Sequence, residues 1–295
     1  MPAKTRSETK SSVARSETLT SISWLVHGFS TRLGGTSRAY GRNSLNLGFT
    51  KQDSRAAVQR NRMIFLETLG ARTGKKKLWP LVTMRQVHSD LIHCVEAVPE
   101  QTLVGDGLIT AVPQLLLAVL TADCIPVILV DTKKHAAGVF HAGWRGTVKR
   151  IVEKGVGEMR RCFGTRARDI KAAIGPGVHN CCYSVGEEVR AQFESQFDYA
   201  DKLFHEVKES DPIREKYPLL FLTARAPGHS ELPKNIFLDL VEANRRQLMD
   251  TGVSPKNIDT SQLCTSCRTD LLFSHRKENG NTGRMMAVVG IKRGA

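Results

Sequence analysis

The sequence has no apolar segment long enough to cross a bilayer. Runs such as Leu115–Leu120 are far shorter than the roughly 18–20 residues that a membrane-spanning helix needs. The N-terminus also lacks the apolar stretch of a secretory signal peptide. These two absences predict a cytoplasmic protein that does not engage a membrane.

A disulfide framework is also missing. The chain has 295 residues and seven cysteines, which is an odd number, and it shows no export signal. Small secreted proteins that depend on disulfides have the opposite features. We therefore expect free thiols in a reducing compartment, some of them available for chemistry.

Acidic residues are scarce in the first third of the chain. Residues 1–87 contain 16 Lys/Arg against 4 Asp/Glu, and so carry most of the net charge of +14. A solvated basic surface is the simplest interpretation, and a field that attracts phosphate or nucleotides is the alternative. The short run Lys75–Lys77 has no interleaved aromatics and lies in no recognisable nucleic-acid-binding motif, so nucleic acid is not an expected partner.

The extreme N-terminus has almost nothing to bury. Residues 1–20 are mostly Ser, Thr and charged residues, which predicts a disordered basic tail. Residues 21–295 show no internal repeat and no sharp linker, and they mix helix and strand patterns without strict βαβ alternation. We therefore predict a single α/β domain over 21–295, with a mixed central sheet flanked by helices.

Several elements of that domain can be predicted individually. Continuous apolar runs at Leu115–Leu120 and Ile125–Val130 are typical of strands buried on both faces. Leu81–Val87 is predicted as another strand. A helix is expected after an N-cap at Thr147, and an amphipathic helix over Ile236–Asp250.

Three of the predicted strands end at a chemically active side chain. These side chains are His88, Cys124 and His141. Each alone is more often a structural residue, but strand ends gathered at one edge of a sheet form a rigid mount for a site. The trio suits either a three-ligand zinc site with an open fourth position or a cysteine nucleophile with a histidine base.

The segments around these residues resemble one family in type and in order. The motifs run from about residue 27 to residue 291 and are Ser44-Leu45-Asn46-Leu47-Gly48, Arg85-Gln86-Val87-His88, Asp106-Gly107-Leu108-Ile109-Thr110, Thr121-Ala122-Asp123-Cys124-Ile125-Pro126-Val127, His141-Ala142-Gly143-Trp144-Arg145-Gly146-Thr147, Ile174-Gly175-Pro176, Cys264-Thr265-Ser266-Cys267 and Phe273-Ser274-His275-Arg276. The chain is thereby identified as a member of the laccase-domain family of purine nucleoside phosphorylases, once called multicopper polyphenol oxidases.

The resemblance implies an activity and a metal site. Family members look like zinc enzymes that phosphorolyse adenosine, inosine, guanosine and 5′-methylthioadenosine, and that also deaminate adenosine. The implied metal ligands are His88, Cys124 and His141. Copper is the less favoured metal, because the seven remaining histidines are too scattered to build the His-rich copper sites of a laccase, whereas a mixed sulfur and nitrogen trio suits zinc.

Further residues are candidates for the reaction. Arg145, four residues after His141, is expected to hold phosphate or substrate and to be catalytic, as is Cys124. Arg32, in a Gly-rich loop, is a candidate substrate contact. Asn46 either binds substrate or stabilises a turn, and Asp106 is either a general acid or base or an ordinary turn carboxylate.

Three other functions compete with this one. The first is a cysteine hydrolase or amidase, for example one that edits peptidoglycan precursors, with Cys124 as nucleophile and His141 as base. The second is a copper-dependent polyphenol oxidase. The third is a non-enzymatic module that binds nucleic acid or protein partners through the basic N-terminal third.

Overall fold

The structure is a computed structural model that describes residues 12–74, 77–208 and 234–294. It divides into two compact units, Met1–His179 with Leu240–Ala295, and Asn180–Asp239. The helices are α1 (Glu17–Thr20), α2 (Arg55–Leu69), α3 (Trp144–Val148), α4 (Ile151–Phe163), α5 (Glu187–Glu194) and α6 (Leu240–Asp250). Among the described residues, no helix combines the length and the hydropathy needed to cross a membrane.

Nineteen strands are present in the described part of the chain. They are β1 (Val13–Ala14), β2 (Leu25–Ser30), β3 (Leu33–Ser37), β4 (Arg72–Thr73), β5 (Lys77–Leu78), β6 (Leu81–Val82), β7 (Met84–Arg85), β8 (Ile92–Cys94), β9 (Leu103–Val104), β10 (Gly107–Thr110), β11 (Leu116–Thr121), β12 (Ile125–Asp131), β13 (Ala136–Ala142), β14 (Ile170–Ile174), β15 (Ser184–Val185), β16 (Phe204–Lys208), β17 (Lys234–Leu238), β18 (Ile258–Thr260) and β19 (Met285–Ile291).

Two large sheets build the first unit. One has the strand order β1-β2-β19-β11-β6, and the other has the order β18-β14-β12-β13-β10-β8. Each sheet is mixed, because most neighbours are antiparallel while the β11–β6, β10–β8 and β14–β18 pairs are parallel. The predicted α/β class and mixed strand directions are confirmed, with the strands divided between two sheets.

The core lies between the two sheets. Leu117 and Val119 of β11 share one buried cluster with Ile128 of β12 and Val139 of β13. The alternate residues of β11, which point to the opposite face, pack in a second cluster with Phe65 of α2. Because both faces of β11 are covered, its sequence is continuously apolar, as the strand prediction required.

Helix α4 covers the outer face of the six-stranded sheet, where it contacts β8, β10 and β13. The ring of Phe140 fills the space over Gly155, where a Cβ would lie 2.6 Å from the ring. A glycine at this position therefore lets α4 pack closely on β13. The close packing fixes the strand that ends next to His141.

The second unit contains a three-stranded antiparallel sheet of order β15-β17-β16. Phe193 of α5 is fully buried and contacts Phe197 and Phe204. The helix predicted over Ile236–Asp250 begins only at Leu240, because residues 234–238 form β17. Burial alternates along Ile236, Phe237 and Leu238, which is the period of a strand.

The predicted tail over residues 1–20 differs from the structure at its C-terminal end. Val13–Ala14 pairs with β2, and α1 buries the Leu19 side chain completely. Two apolar residues were enough to anchor this otherwise polar segment. Residues 1–11 lie outside the described residues, as do Lys75 and Lys76 of the basic run.

The helix expected after Thr147 also differs. A short helix, α3, already begins at Trp144, and the chain turns at Arg150, whose φ is +62°, before α4 starts. Thr147 is instead buried inside α3. Because the chain turns at Arg150, the axis of α3 does not have to continue that of α4.

Candidate metal centre

His88 lies in a tight turn rather than at the end of one long strand. The predicted strand Leu81–Val87 is interrupted between β6 and β7, and His88 has a φ of +57°. A left-handed backbone is uncommon for a residue other than glycine and has to be held in place by its surroundings. The carboxylate of Asp106 does this by accepting hydrogen bonds from the backbone N–H groups of Val87, His88 and Ser89.

Cys124 lies in the connection between β11 and β12. The residue before it, Asp123, has a φ of +92°. The thiol is therefore presented at the start of β12, a strand whose seven residues are all buried.

His141 is the sixth residue of β13, opposite Pro126 of β12. It is 4% exposed. Strand alternation places its side chain on the same face as Val139, which belongs to the core between the sheets. The imidazole is thus held more firmly than that of His88, which is exposed.

The structure brings the three predicted ligands together. One ligand atom from each of His88, Cys124 and His141 lies within 4.8 Å of the others. The Cys124 Sγ to His88 Nε2 distance is 3.9 Å, and the two imidazole rings meet edge to face with centroids 4.9 Å apart. These three residues could hold a metal ion.

The donor set and spacing fit zinc. Tetrahedral zinc with ordinary Zn–S and Zn–N bonds separates a sulfur and a nitrogen ligand by about 3.6 Å, close to the observed 3.9 Å. Three protein donors leave one position open, as in catalytic zinc sites. His88 is the most exposed of the three residues, whereas His141 is buried.

A glycine allows this close approach. A Cβ at Gly143 would lie 2.9 Å from the Cys124 sulfur and 3.1 Å from Cδ2 of His88. Any larger residue there would displace one of the two ligands. Gly143, two residues after His141, is therefore packed against the cluster itself.

The electrostatics of the trio favour a thiolate. Burial alone would raise the pKa of the Cys124 thiol, but the charge and hydrogen bonding of His141, with help from His88, lower that pKa to about 6. For His141 the signs are reversed: burial alone would lower the pKa, but the Cys124 charge and the Asp106 hydrogen bond raise it to about 9. A thiolate is the form of cysteine that binds metals and acts as a nucleophile.

Asp106 orients both histidines. Its Oδ1 lies 2.8 Å from His141 Nδ1 and accepts the His88 N–H, and its Oδ2 accepts the Ser89 hydroxyl and the N–H groups of Val87 and Ser89. The carboxylate is fully buried, and although burial works in the other direction, these hydrogen bonds hold its pKa well below the usual range. Such contacts are those of a positioning residue, while a general acid or base role for Asp106 stays a prediction.

Arg145 lies in α3, exposed, with its guanidinium carbon 4.3 Å from the centre of the Trp144 ring. Within the described residues, no carboxylate forms an ion pair with it. The side chain is thereby available to an anion, and its catalytic and phosphate-binding roles stay predictions.

Arg32 is occupied by the protein itself. Its guanidinium pairs with Glu278 at 3.0 Å, donates to the carbonyls of Thr269 and Tyr40, and stacks on Phe273. These partners favour a structural role in joining the N-terminal loop to the C-terminal region. Substrate binding by Arg32 stays a prediction.

Asn46 is similarly enclosed. It is fully buried, and its amide group bonds to Gly48 on both sides, to Asp53 and to the Arg284 N–H. The two Gly48 bonds stabilise the turn, as one of the two sequence interpretations expects, and the Asp53 and Arg284 bonds attach the turn to other segments. Substrate binding by Asn46 stays a prediction.

Gln86 is a supporting residue that the motifs contain but the sequence did not single out. Its side chain donates to the Leu120 carbonyl at 2.8 Å and accepts from the Leu120 N–H at 2.7 Å. These two hydrogen bonds hold the segment before His88 against the C-terminal end of β11. Its position two residues before His88 was the available signal, but only the structure shows the partner strand.

The chain is similar to known proteins over most of its length. A family model described as "Multi-copper polyphenol oxidoreductase laccase" matches residues 26–292. The chain belongs to this laccase family.

Relatives and solved structures of the laccase family cover most of the chain. A purine nucleoside phosphorylase of Deinococcus radiodurans is 36% identical over 267 residues, covering 90% of this chain and 89% of the relative. Adenosine deaminase RL5, from an unknown prokaryotic organism, is 32% identical and covers 88% of this chain and 91% of its own length. The crystal structure of YlmD from Geobacillus stearothermophilus matches with a TM-score of 0.73 and 33% identity, over 92% of this chain and 93% of that one.

Proposed function

We propose that this protein is a zinc-dependent enzyme that phosphorolyses purine nucleosides and also deaminates adenosine. The observation that carries the proposal is the convergence of His88, Cys124 and His141, with ligand atoms within 4.8 Å of one another. Relatives named purine nucleoside phosphorylase and adenosine deaminase supply the substrate class. Adenosine, inosine, guanosine and 5′-methylthioadenosine are the proposed nucleosides, and the cytoplasm is the proposed location.

Zinc, when bound, supplies a Lewis acid that polarises a substrate oxygen or activates water. His88, Cys124 and His141 would hold it. The pKa of Cys124, lowered to about 6, favours the thiolate, which is the form that metal binding requires. Asp106 accepts the Nδ1 proton of His141, so Nε2 is the ring nitrogen that would bind the metal after losing its proton.

Phosphorolysis needs an anion site beside the metal. A phosphate oxygen forms a bond to ribose C1′ while the C1′–N9 bond breaks and the electron pair leaves with the purine, which gives ribose 1-phosphate. Arg145 is proposed to hold the phosphate, because its guanidinium is exposed four residues from His141. In deamination, water adds to the purine C6 and ammonia leaves, so that reaction needs no phosphate.

Nucleoside turnover tests the proposal directly. Purified, zinc-loaded protein is incubated with adenosine with and without phosphate, and the products are separated by chromatography. We expect adenine with ribose 1-phosphate only when phosphate is present, and inosine under both conditions. Failure of zinc-loaded protein to convert any purine nucleoside would remove this function.

A cysteine hydrolase is the second candidate, and one observation favours it. Cys124, His141 and Asp106 stand in the order of a catalytic triad, with the Asp106 carboxylate on Nδ1 of His141 and a thiol of lowered pKa. However, a second imidazole, that of His88, lies 3.9 Å from the same sulfur, which a hydrolase does not need. Rapid alkylation of Cys124 that zinc fails to slow, together with amide hydrolysis in a chelator, would favour the hydrolase.

Copper is the third candidate, suggested by the family's description. Two imidazoles and a thiolate can bind copper as well as zinc. Metal analysis after expression without added copper distinguishes the two ions. Oxygen uptake by copper-loaded protein with a phenol would favour an oxidase.

A further inference from the structure

Asp123, the residue that precedes the proposed metal ligand Cys124, is held by an unusual number of contacts. It is 8% exposed and has a φ of +92°, a conformation that L-residues other than Asn and Asp rarely adopt. A residue keeps such a conformation only where its surroundings impose it. The contacts of Asp123 identify what imposes it.

The Asp123 carboxylate collects three short hydrogen bonds from the C-terminal part of the chain. Oδ1 accepts the Thr265 hydroxyl at 2.6 Å and the Ser274 hydroxyl at 2.7 Å. Oδ2 accepts the backbone N–H of Arg276 at 2.7 Å. Both carboxylate oxygens are therefore bound to residues more than 140 positions away in sequence.

The backbone of Asp123 is held as well. Its carbonyl accepts the Val178 N–H at 2.8 Å, and the carbonyl of Gly177 accepts the Thr265 N–H at 2.9 Å. With the Thr265 hydroxyl on the Asp123 carboxylate, these bonds close a ring through three chain segments. A Cβ at Gly177 would lie 3.0 Å from the Asp123 carbonyl, so a glycine there keeps the ring compact.

This network is closed to substrate. Thr265 and Ser274 are fully buried, and Ser266 shares a hydrogen bond of 3.0 Å with Ser274. Asp123 cannot touch a nucleoside or phosphate through these oxygens. Any effect of Asp123 on the reaction must therefore act through Cys124, its neighbour in the chain.

We propose that Asp123 is a positioning residue that fixes the Cys124 sulfur at the metal by anchoring the intervening peptide to residues 265–276. Hydrogen bonds to both the carboxylate and the carbonyl of Asp123 fix the peptide group that joins Asp123 to Cys124. They thereby set the direction of the Cα–Cβ bond of Cys124. The late Thr265–Ser266 and Ser274–Arg276 motifs thereby serve the metal site without contributing a ligand. This inference rests on the proposed metal-binding function.

A matched control separates positioning from simple stabilisation. Asp131 is the last residue of β12, the strand that begins directly after Cys124, and its side chain is fully buried. Its Oδ1 accepts the backbone N–H groups of Lys133 and Lys134. Asp131→Asn therefore disturbs a buried strand-end carboxylate that has no connection to Cys124.

The test measures metal binding in the full chain rather than turnover. Cobalt(II) is titrated into metal-free protein, and the sulfur-to-cobalt charge-transfer absorption and zinc competition are recorded for the wild type, D123N, D123G, D131N and the double variant T265V/S274A. D123G removes the carboxylate while tolerating the positive φ, and the double variant removes two donors while leaving Asp123 intact. Thermal unfolding without metal checks that each variant is folded.

We expect D123N and D123G to lose roughly 10- to 100-fold in zinc affinity, with a weakened or shifted charge-transfer band, because outer residues that orient ligands have effects of this size. The double variant should change in the same direction, and D131N should keep the wild-type spectrum. A wild-type spectrum and affinity in folded D123N, or in T265V/S274A if both Asp123 variants fail to fold, would overturn the inference. Absence of cobalt and zinc binding by the wild type would instead overturn the metal site itself, and this inference with it.

Discussion

The Nδ1 atom of His141 lies 2.8 Å from Oδ1 of Asp106, a carboxylate that also holds the turn of His88. One buried side chain thus orients two of the three proposed ligands. Asp106→Asn puts an amide NH₂ where N–H donors now converge, so zinc affinity should fall about 10- to 100-fold. Competition with a chromogenic chelator measures this fall. Ser89→Ala, which removes a single donor to Asp106, should have a smaller effect, and equal effects would contradict the orienting role.

Removal of the thiol should abolish metal binding. Cys124→Ala deletes the one sulfur among the three donors, and two imidazoles alone bind zinc weakly. Metal analysis of purified protein should show about one zinc per wild-type chain and almost none in the variant. Cys162→Ala, in the last turn of α4, is the control and should retain the metal. Full zinc content in Cys124→Ala would place the ion elsewhere.

Arg145→Ala should affect phosphate more than nucleoside. Loss of a charge-assisted contact to phosphate costs about 1.5–3 kcal/mol, so the KM for phosphate should rise roughly 10- to 100-fold. Steady-state kinetics with phosphate varied at saturating inosine measures it. Deamination of adenosine, which uses no phosphate, is the internal control and should change little. An unchanged KM for phosphate would exclude Arg145 from this role.

Arg32→Ala should act mainly on stability. The variant leaves the partly buried Glu278 without its ion-pair partner and removes the stacking on Phe273, which should cost about 1–3 kcal/mol. Urea unfolding of metal-free protein measures the change in the free energy of unfolding. Arg38→Ala, at an exposed position nearby, should be nearly neutral. If Arg32→Ala is as stable as the wild type but has a raised KM, Arg32 binds substrate after all.

The buried His27 should make stability depend on pH. Its Nε2 accepts the Ser16 N–H, and burial, followed by the charge of Arg15, lowers its pKa to about 4. In the unfolded chain the pKa of His27 is near its ordinary 6.5. Between about pH 4 and 6.5, therefore, His27 is protonated in the unfolded chain but not in the folded chain. Stability should fall as pH drops from about 6.5 to 4, by about 3 kcal/mol at most.

Urea unfolding at pH 7 and pH 4.5 tests this dependence. His27→Gln should lose less stability over that interval than the wild type does, because its side chain does not titrate. His275→Gln, at an exposed position, should behave as the wild type. Equal pH dependence in His27→Gln and the wild type would show that His27 is not the responsible group.

The sequence predicts this fold best for strands that are buried on both faces. β11, β12 and β19 are covered on both faces, so their continuous apolar runs identify them without further information. The sequence predicts a helix over the last three residues of β17, because the apolar residues of a five-residue strand fit either period. The sequence does not reveal the anchored segment Val13–Thr20, because two buried apolar residues, Val13 and Leu19, leave almost no compositional signal.

For the site, ligand identity is predictable but ligand support is not. Reactive side chains at strand ends can be recognised from a pattern of a few residues. Thr265, Glu278 and Arg284 are partners of Asp123, Arg32 and Asn46 respectively, and they lie 142, 246 and 238 positions away, so nothing local identifies them. Likewise, the left-handed backbone at His88 depends on Asp106, 18 positions further along.

Because residues far along the chain anchor Asp123, the proposed metal site can be completed only late in synthesis. A nascent chain has all three proposed metal donors once residue 141 has emerged, but Thr265, Ser274 and Arg276 are made much later. Until then the cysteine lacks the hydrogen bonds that hold Asp123. A ribosome-bound or truncated chain that ends before residue 265 should therefore capture zinc only weakly.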